Sequence, residues 1–185
     1  MLIREVTDVI ERFAPLAWQE SYDNAGLIVG RPDDEVHRAL LAVDVTDEVM
    51  AEAEREGCDM VITHHPIVFH ALKRFNSADQ VQRCVERAIR GGIALYACHT
   101  NLDSAPGGMS WRLAEMLGVG DLRVLQPAQA DEKVGFGVVG ELPEPMATVE
   151  FMRRMQRVLG VRVVRHSDIA SPEVRRVAVC TGAGA

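Results

Sequence analysis

The stretch ALLAVDVTDEVMAEAEREGCDMVITHHP, Ala39 to Pro66, decides the fold. It opens on a short apolar run, Ala39 to Val43, and passes one acid, Asp44. It then turns helical from about Thr46 to Glu56, with Asp47 and Glu48 in the first turn, where the helix dipole favours negative charge. Gly57 stops the helix, and a second apolar run follows, Met60 to Thr63. Strand, turn, helix and strand make one βαβ unit, and a crossover of that kind joins parallel strands.

The unit repeats downstream. Asp79 to Arg90 carries Val81, Cys84, Val85, Ala88 and Ile89 on one helical face, and Gly91-Gly92 closes it. Ile93 to Cys98 reads as the next strand, and Met109 to Leu117 as a helix ended by Gly118. Upstream, Val6, Val9, Ile10 and Phe13 recur as the packing stripe of a short amphipathic helix that Pro15 ends. Between Asp121 and Val134 the pattern is weak. GFGVVGEL, Gly135 to Leu142, then reads as a glycine-rich strand, followed by Pro143, Pro145 and a helix from about Thr148 to Leu159. Val161 to Arg165 and Val177 to Cys180 complete the strands. The expected fold is α/β: a layered, mainly parallel sheet with helices on both faces, plus a second, smaller α/β lobe. We expect the metal-site lobe described below to span 1–125 and the second lobe 126–185, with the last strand, 177–180, free to return to the first.

Composition sets limits on function. The 185 residues are 48% hydrophobic and 25% charged, which suits a folded globular chain. Lys and Arg number 20 against 27 Asp and Glu, a net charge of −7 that repels nucleic-acid phosphates and concentrates cations. The longest apolar runs fall well short of the ~18–20 residues that span a bilayer. The start, MLIREVTDVIERF, is amphipathic and acidic, unlike a signal peptide. A soluble, cytoplasmic chain with no membrane partner is expected. Cys58, Cys84, Cys98 and Cys180 are far apart with no C-x-x-C, so they read as buried free thiols rather than a zinc ribbon or disulfide framework.

Parallel sheets collect ligands outside the carboxyl ends of their strands, so the residues after each strand carry the functional reading. These are Asp44, His64-His65-Pro66, His99-Thr100-Asn101-Leu102-Asp103 and the turn Thr181 to Ala185. His64 and His65 sit where a strand ends, and Pro66 holds His65 extended, so both imidazoles can face one cleft. A lone histidine there would usually cap a carbonyl or face water; the pair, together with a second cluster one strand away, points to metal. Asp103 can supply a carboxylate to those imidazoles, or simply close an Asx turn. Asp44 either orients a histidine through its N–H or caps the helix that follows it. His37, His70 and His166 lie in polar contexts and read as surface residues. The glycines of Gly107-Gly108 and Thr181 to Ala185 could offer N–H groups to a phosphate but match no phosphate-binding motif. With no G-x-S-x-G and no cysteine paired to a base, covalent catalysis is disfavoured.

Five blocks, SYDNAGLIVG (Ser21 to Gly30), LLAVDVTDEV (Leu40 to Val49), CDMVITHHPIVF (Cys58 to Phe69), LYACHTNLDSAPGG (Leu95 to Gly108) and VAVCTGAGA (Val177 to Ala185), together resemble the NGG-one-interacting-factor-three-like family. Its bacterial members are often labelled GTP cyclohydrolase I type 2 homologues. The resemblance is collinear along the chain, and the THHP and HTNLD blocks are its most specific parts. It implies a two-lobed subunit with a dinuclear metal centre, assembled as a hexameric ring, with His64, His65 and Asp103 as metal ligands and His99 and Asp44 around them. Family members also supply a histidine and a glutamate from a segment after the TGAG block, so this sequence resembles an N-terminal portion or a shortened member. The expected function is a metal-dependent hydrolase in which two divalent ions activate water against a nucleotide-like substrate. Zinc, iron, manganese and nickel all suit mixed imidazole and carboxylate ligation. The rival reading is a non-catalytic metal-binding scaffold or regulatory interaction protein.

Overall fold

The computed structural model describes residues 1–128 and 131–182. They divide into two compact units, Met1–Leu102 and Asp103–Ala185.

The first unit is built on a four-stranded sheet. β1 (Gly26–Val29), β2 (Ala39–Ala42), β3 (Met60–Thr63) and β4 (Ala94–Ala97) lie in the order β1-β4-β3-β2. β2, β3 and β4 run parallel, with Ala39 opposite Met60 and Met60 opposite Ala94. β1 is an antiparallel edge strand whose first residue, Gly26, pairs with the last residue of β4, Ala97. The helices α2 (Asp47–Glu56) and α3 (Gln80–Gly91) begin and end where capping chemistry places them. Thr46 accepts the Val49 N–H at 3.2 Å and Asp79 accepts that of Gln82 at 2.8 Å, while Gly57 and Gly92 take the left-handed conformation that lets each helix stop. Val45, Met50, Ala53, Cys58, Val61, Cys84, Ala88, Ile93 and Leu95 form the core on this side of the sheet. Tyr96 points to the opposite face, where its hydroxyl donates to Glu11 Oε1 (3.3 Å) of α1 (Ile3–Phe13). Helices therefore cover both faces, as expected.

α1 is rotated from its expected orientation. Ile3 and Thr7 are buried, whereas Val9 and Phe13 are 55% and 51% exposed. The helix starts earlier than the hydrophobic stripe suggests, and Glu11 is the group that turns toward the sheet. β1 went unread in the sequence, because four apolar residues carry no period of their own.

In the second unit, β5 (Gly120–Ala128), β6 (Asp131–Ala147) and β7 (Glu173–Val179) form an antiparallel sheet in that order. α5 (Met109–Met116) and α6 (Thr148–Leu159) flank it, and Ala114, Leu117, Val138, Leu142, Phe151, Val177 and Val179 form its core. The expected division at 125/126 falls inside β5. The compact units part at Leu102/Asp103, because α5 and β5 share their core and ladder with β6. β7 pairs with β6 and does not return to the first sheet. Val161 to Arg165 forms no strand: Val163 is 77% exposed, and alternation without a pairing partner creates no ladder. β6 continues through Pro143 and Pro145, whose missing N–H groups fall where the register with β7 shifts, between Glu141 and Met146. Gly140 admits the close approach of β5, since a Cβ there would meet Gly120 O at 2.2 Å.

Cys58, Cys84 and Cys98 are buried free thiols as expected, but Cys180 is exposed at the end of an edge strand. Burial pushes the Cys84 thiol up to about 11, so it stays protonated and unreactive. Among the described residues no helix is long and apolar enough to cross a membrane.

Candidate metal centre

The parallel strands of the first unit deliver four polar residues to one edge of their sheet. β2 leads to Asp44, β3 to His64 and His65, and β4, by way of Cys98, to His99. β1 runs the other way, so its leading segment, Asp23 to Ala25, reaches this same edge ahead of Gly26.

Here three imidazoles meet. The ring centroids of His64 and His65 are 4.9 Å apart, those of His64 and His99 5.2 Å, and those of His65 and His99 5.5 Å. One ligand-type nitrogen from each lies within 4.8 Å of the other two. Each Nδ1 has an oxygen partner: Cys98 O for His64 at 2.9 Å, Asp44 Oδ1 for His65 at 2.7 Å and Asp23 Oδ1 for His99 at 2.7 Å. With Nδ1 engaged in all three rings, Nε2 is the nitrogen that would coordinate a metal, the usual arrangement of metal-binding histidines with their outer partners. His64 and His99 are half-buried and His65 is exposed.

Asp23 is the most enclosed acid of the group. Its burial pushes the carboxyl pKa up, but hydrogen bonds from His99, from the Thr100 hydroxyl and from the N–H groups of Asn24 and Thr100 outweigh that and hold it below the usual carboxylate range. The donor set fits a divalent first-row cation: imidazoles whose ring orientations are already fixed by their Nδ1 contacts.

Sequence reading grouped these residues differently. It placed His64 and His65 as ligands and His99 as an outer residue, whereas the geometry sets His99 beside the other two. Asp44 contacts His65, and the helix cap it might have supplied is Thr46. Asp103 is not in a loop. It occupies α4 (Thr100–Ser104), is buried, and has its Oδ1 3.5 Å from Thr181 Oγ1, which in turn lies 3.0 Å from Ser110 Oγ. Asp103 is not among the three-imidazole group. His37, His70 and His166 are exposed, as expected. Of the Thr181 to Ala185 turn, 183–185 lie outside the described residues. Asp23 escaped sequence reading altogether. The signal for it was the apolar GLIV run just after it, which marks a strand entering this edge.

Comparison with known proteins gives the chain a lineage. The family model described as Duf34/NIF3 (NGG1p interacting factor 3) matches residues 1–185. A Clostridium perfringens protein named GTP cyclohydrolase 1 type 2 homolog is 32% identical over 184 residues, covering 100% of this chain and 70% of its own length. The crystal structure of Staphylococcus aureus hypothetical protein SA1388 is similar at a TM-score of 0.89 and 26% identity, over 100% of this chain and 73% of that one. A Bacillus cereus protein related to NIF3 shares the fold, with a TM-score of 0.90 at 23% identity over 100% of this chain and 77% of its own. Part of each of these proteins therefore lies outside the match. A whole-length family match, together with a relative of this identity and coverage, makes the chain a member of the Duf34/NIF3 family.

Proposed function

We propose that the chain is a divalent-metal-binding protein with a dinuclear centre to which His64, His65, Asp103 and His99 contribute, and that it works as a metal-dependent hydrolase on a nucleotide-like substrate. The observation that carries the metal reading is the grouping of three imidazoles, His64, His65 and His99, with ligand nitrogens within 4.8 Å of one another. Their surroundings agree with it: Met1–Leu102 holds seventeen Asp and Glu against ten Lys and Arg, a field that draws cations. The substrate class is suggested by the name GTP cyclohydrolase 1 type 2 homolog that relatives carry. Bound divalent ions supply Lewis acidity, polarising a substrate oxygen and acidifying water.

The chain's own residues have defined parts in this reading. Asp44 and the Cys98 carbonyl hold the rings of His65 and His64. Asp103 is the carboxylate expected from the HTNLD block. A cytoplasmic setting and self-association into a hexameric ring belong to the same proposal, and the net charge of −7 weighs against a nucleic-acid partner.

The test is elemental analysis of metal per chain, followed by turnover of a nucleotide panel with and without chelator, for wild type and His65→Ala. Metal-dependent turnover that disappears in the variant supports the hydrolase. Stoichiometric metal with no turnover on the panel supports the scaffold instead, and a wild-type chain that takes up no metal overturns both. Light scattering reports whether a ring forms.

A further inference from the structure

The three orienting contacts are chemically unequal. His64 Nδ1 faces a backbone carbonyl, which can only accept, so that nitrogen carries the proton. His65 Nδ1 faces Asp44, whose side chain is 58% exposed and shared with water. His99 Nδ1 faces Asp23, whose side chain is 0% exposed.

Asp23 is saturated with donors. Its Oδ1 receives the Asn24 N–H at 2.7 Å and faces His99 Nδ1 at 2.7 Å. Its Oδ2 receives the Thr100 N–H at 3.0 Å and the Thr100 hydroxyl. That hydroxyl accepts the Glu20 N–H at 2.9 Å, so its proton goes to Asp23. Two of the four partners are backbone N–H groups that cannot reverse. An ionised carboxylate accepts about four hydrogen bonds and donates none, so the fourth partner, His99 Nδ1, must also be a donor. The chain anchors this arrangement from both directions. Thr100 follows His99 at the end of β4, and Asp23 precedes β1, the antiparallel partner of β4.

We propose that Asp23 is the positioning residue of the centre: its buried carboxylate locks His99 as the Nδ1–H tautomer and so presents Nε2 as a third imidazole donor beside those of His64 and His65. The consequence for metal rests on the reading above, while the tautomer belongs to the metal-free chain. Asn at this position cannot substitute. Whichever way its amide turns, the NH2 group faces a backbone N–H. Turned toward His99, it would also force Nδ1 to accept, moving the ring proton onto Nε2 and removing the coordinating lone pair.

The experiment uses the full chain with 15N-labelled histidine at about pH 8, above the ordinary imidazole range. Two-bond 1H–15N correlation reads each tautomer, and His99→Gln assigns the signal. Wild type is expected to show His99 protonated on Nδ1 and lone-paired on Nε2; Asp23→Ala, which removes the acceptor that holds that proton, is expected to lose this preference. Titration with Co2+ alone, followed by its visible spectrum, is expected to show binding about 10–100-fold weaker in Asp23→Ala. His99 protonated on Nε2 in wild type overturns the proposal even if the variant fails to fold. So does a folded Asp23→Ala chain with unchanged tautomer and unchanged Co2+ affinity. A wild type that shows the expected tautomer but takes up no Co2+ sinks the metal reading and leaves the Asp23–His99 assignment standing.

Discussion

Met1–Leu102 and Asp103–Ala185 each carry ten Lys and Arg, yet the first holds seventeen Asp and Glu and the second ten. Five of the six histidines also fall in the first unit. The two sheets also treat strand ends differently. In the first, three parallel strands bring residues far apart in sequence to one edge, so His64, His65, His99 and Asp44 meet although each strand is only four residues long. In the second, every pairing is antiparallel, strand ends alternate between edges, and no such grouping occurs among the described residues. Its sequence features serve packing instead, as at Gly140, where the neighbouring strand lies too close for a side chain. Topology thus allots chemistry to one unit before any particular residue does.

Each unit holds one tryptophan, Trp18 in the first and Trp111 in the second, so single-tryptophan backgrounds can follow the two separately. The largest effect is expected from Leu95→Ala. Leu95 is 1% exposed in the core of the first unit, and truncation should cost about 3 kcal/mol in denaturant unfolding followed through Trp18 in a Trp111→Phe chain. Leu41→Ala, at a site 74% exposed, should cost less than about 0.5 kcal/mol in the same assay. Next comes Gly140→Ala. A Cβ 2.2 Å from Gly120 O forces β5 and β6 apart, at about 2 kcal/mol, read through Trp111 in a Trp18→Phe chain. If Leu95→Ala and Gly140→Ala shift both tryptophan signals equally, the chain melts as one cooperative block and the comparison fails.

The smallest effect concerns the ion pairs that tie α2 to α3. Arg87 grips Glu54 with two nitrogens, at 2.9 and 2.7 Å, and Arg83 bonds Asp47 at 2.8 Å. The Arg83 hydrogen bond holds the Asp47 carboxyl below its ordinary 3.8, and the Arg87 hydrogen bond holds Glu54 below its ordinary 4.5. Lowered carboxyl values mean the stabilisation is present at neutral pH and disappears as pH falls through the folded-state values, beneath those ordinary ones. Arg87→Ala should therefore lower Tm slightly at pH 7, less in high salt, and hardly at all once the acids are protonated. A Tm gap that is constant from neutral to acid would show that Arg87 acts through packing alone.

Much of the first unit was legible in the sequence, because its apolar runs are bounded by physical punctuation: Asp47 and Glu48 in a first helical turn, Gly57 and Gly92 as stops. The second unit was less so. β5 keeps Val124 buried while Arg123, Leu125, Gln126 and Pro127 are exposed, which leaves little period to detect. Val161 to Arg165 shows the reverse error, alternation with no neighbour to pair with. At the centre, His64, His65, His99 and Asp44 were visible because each follows a parallel strand. Asp23 was not, since it precedes an antiparallel one, and only pairing reveals that the start of β1 lies beside the end of β4.

The most direct measurement is X-ray absorption at the metal edge of the chain loaded with zinc, for wild type and for His64→Ala. Multiple scattering from imidazole rings, reduced in the variant, is the predicted result. A wild-type spectrum with oxygen ligands only, or one that His64→Ala leaves unchanged, would contradict the assignment of these histidines to a metal centre.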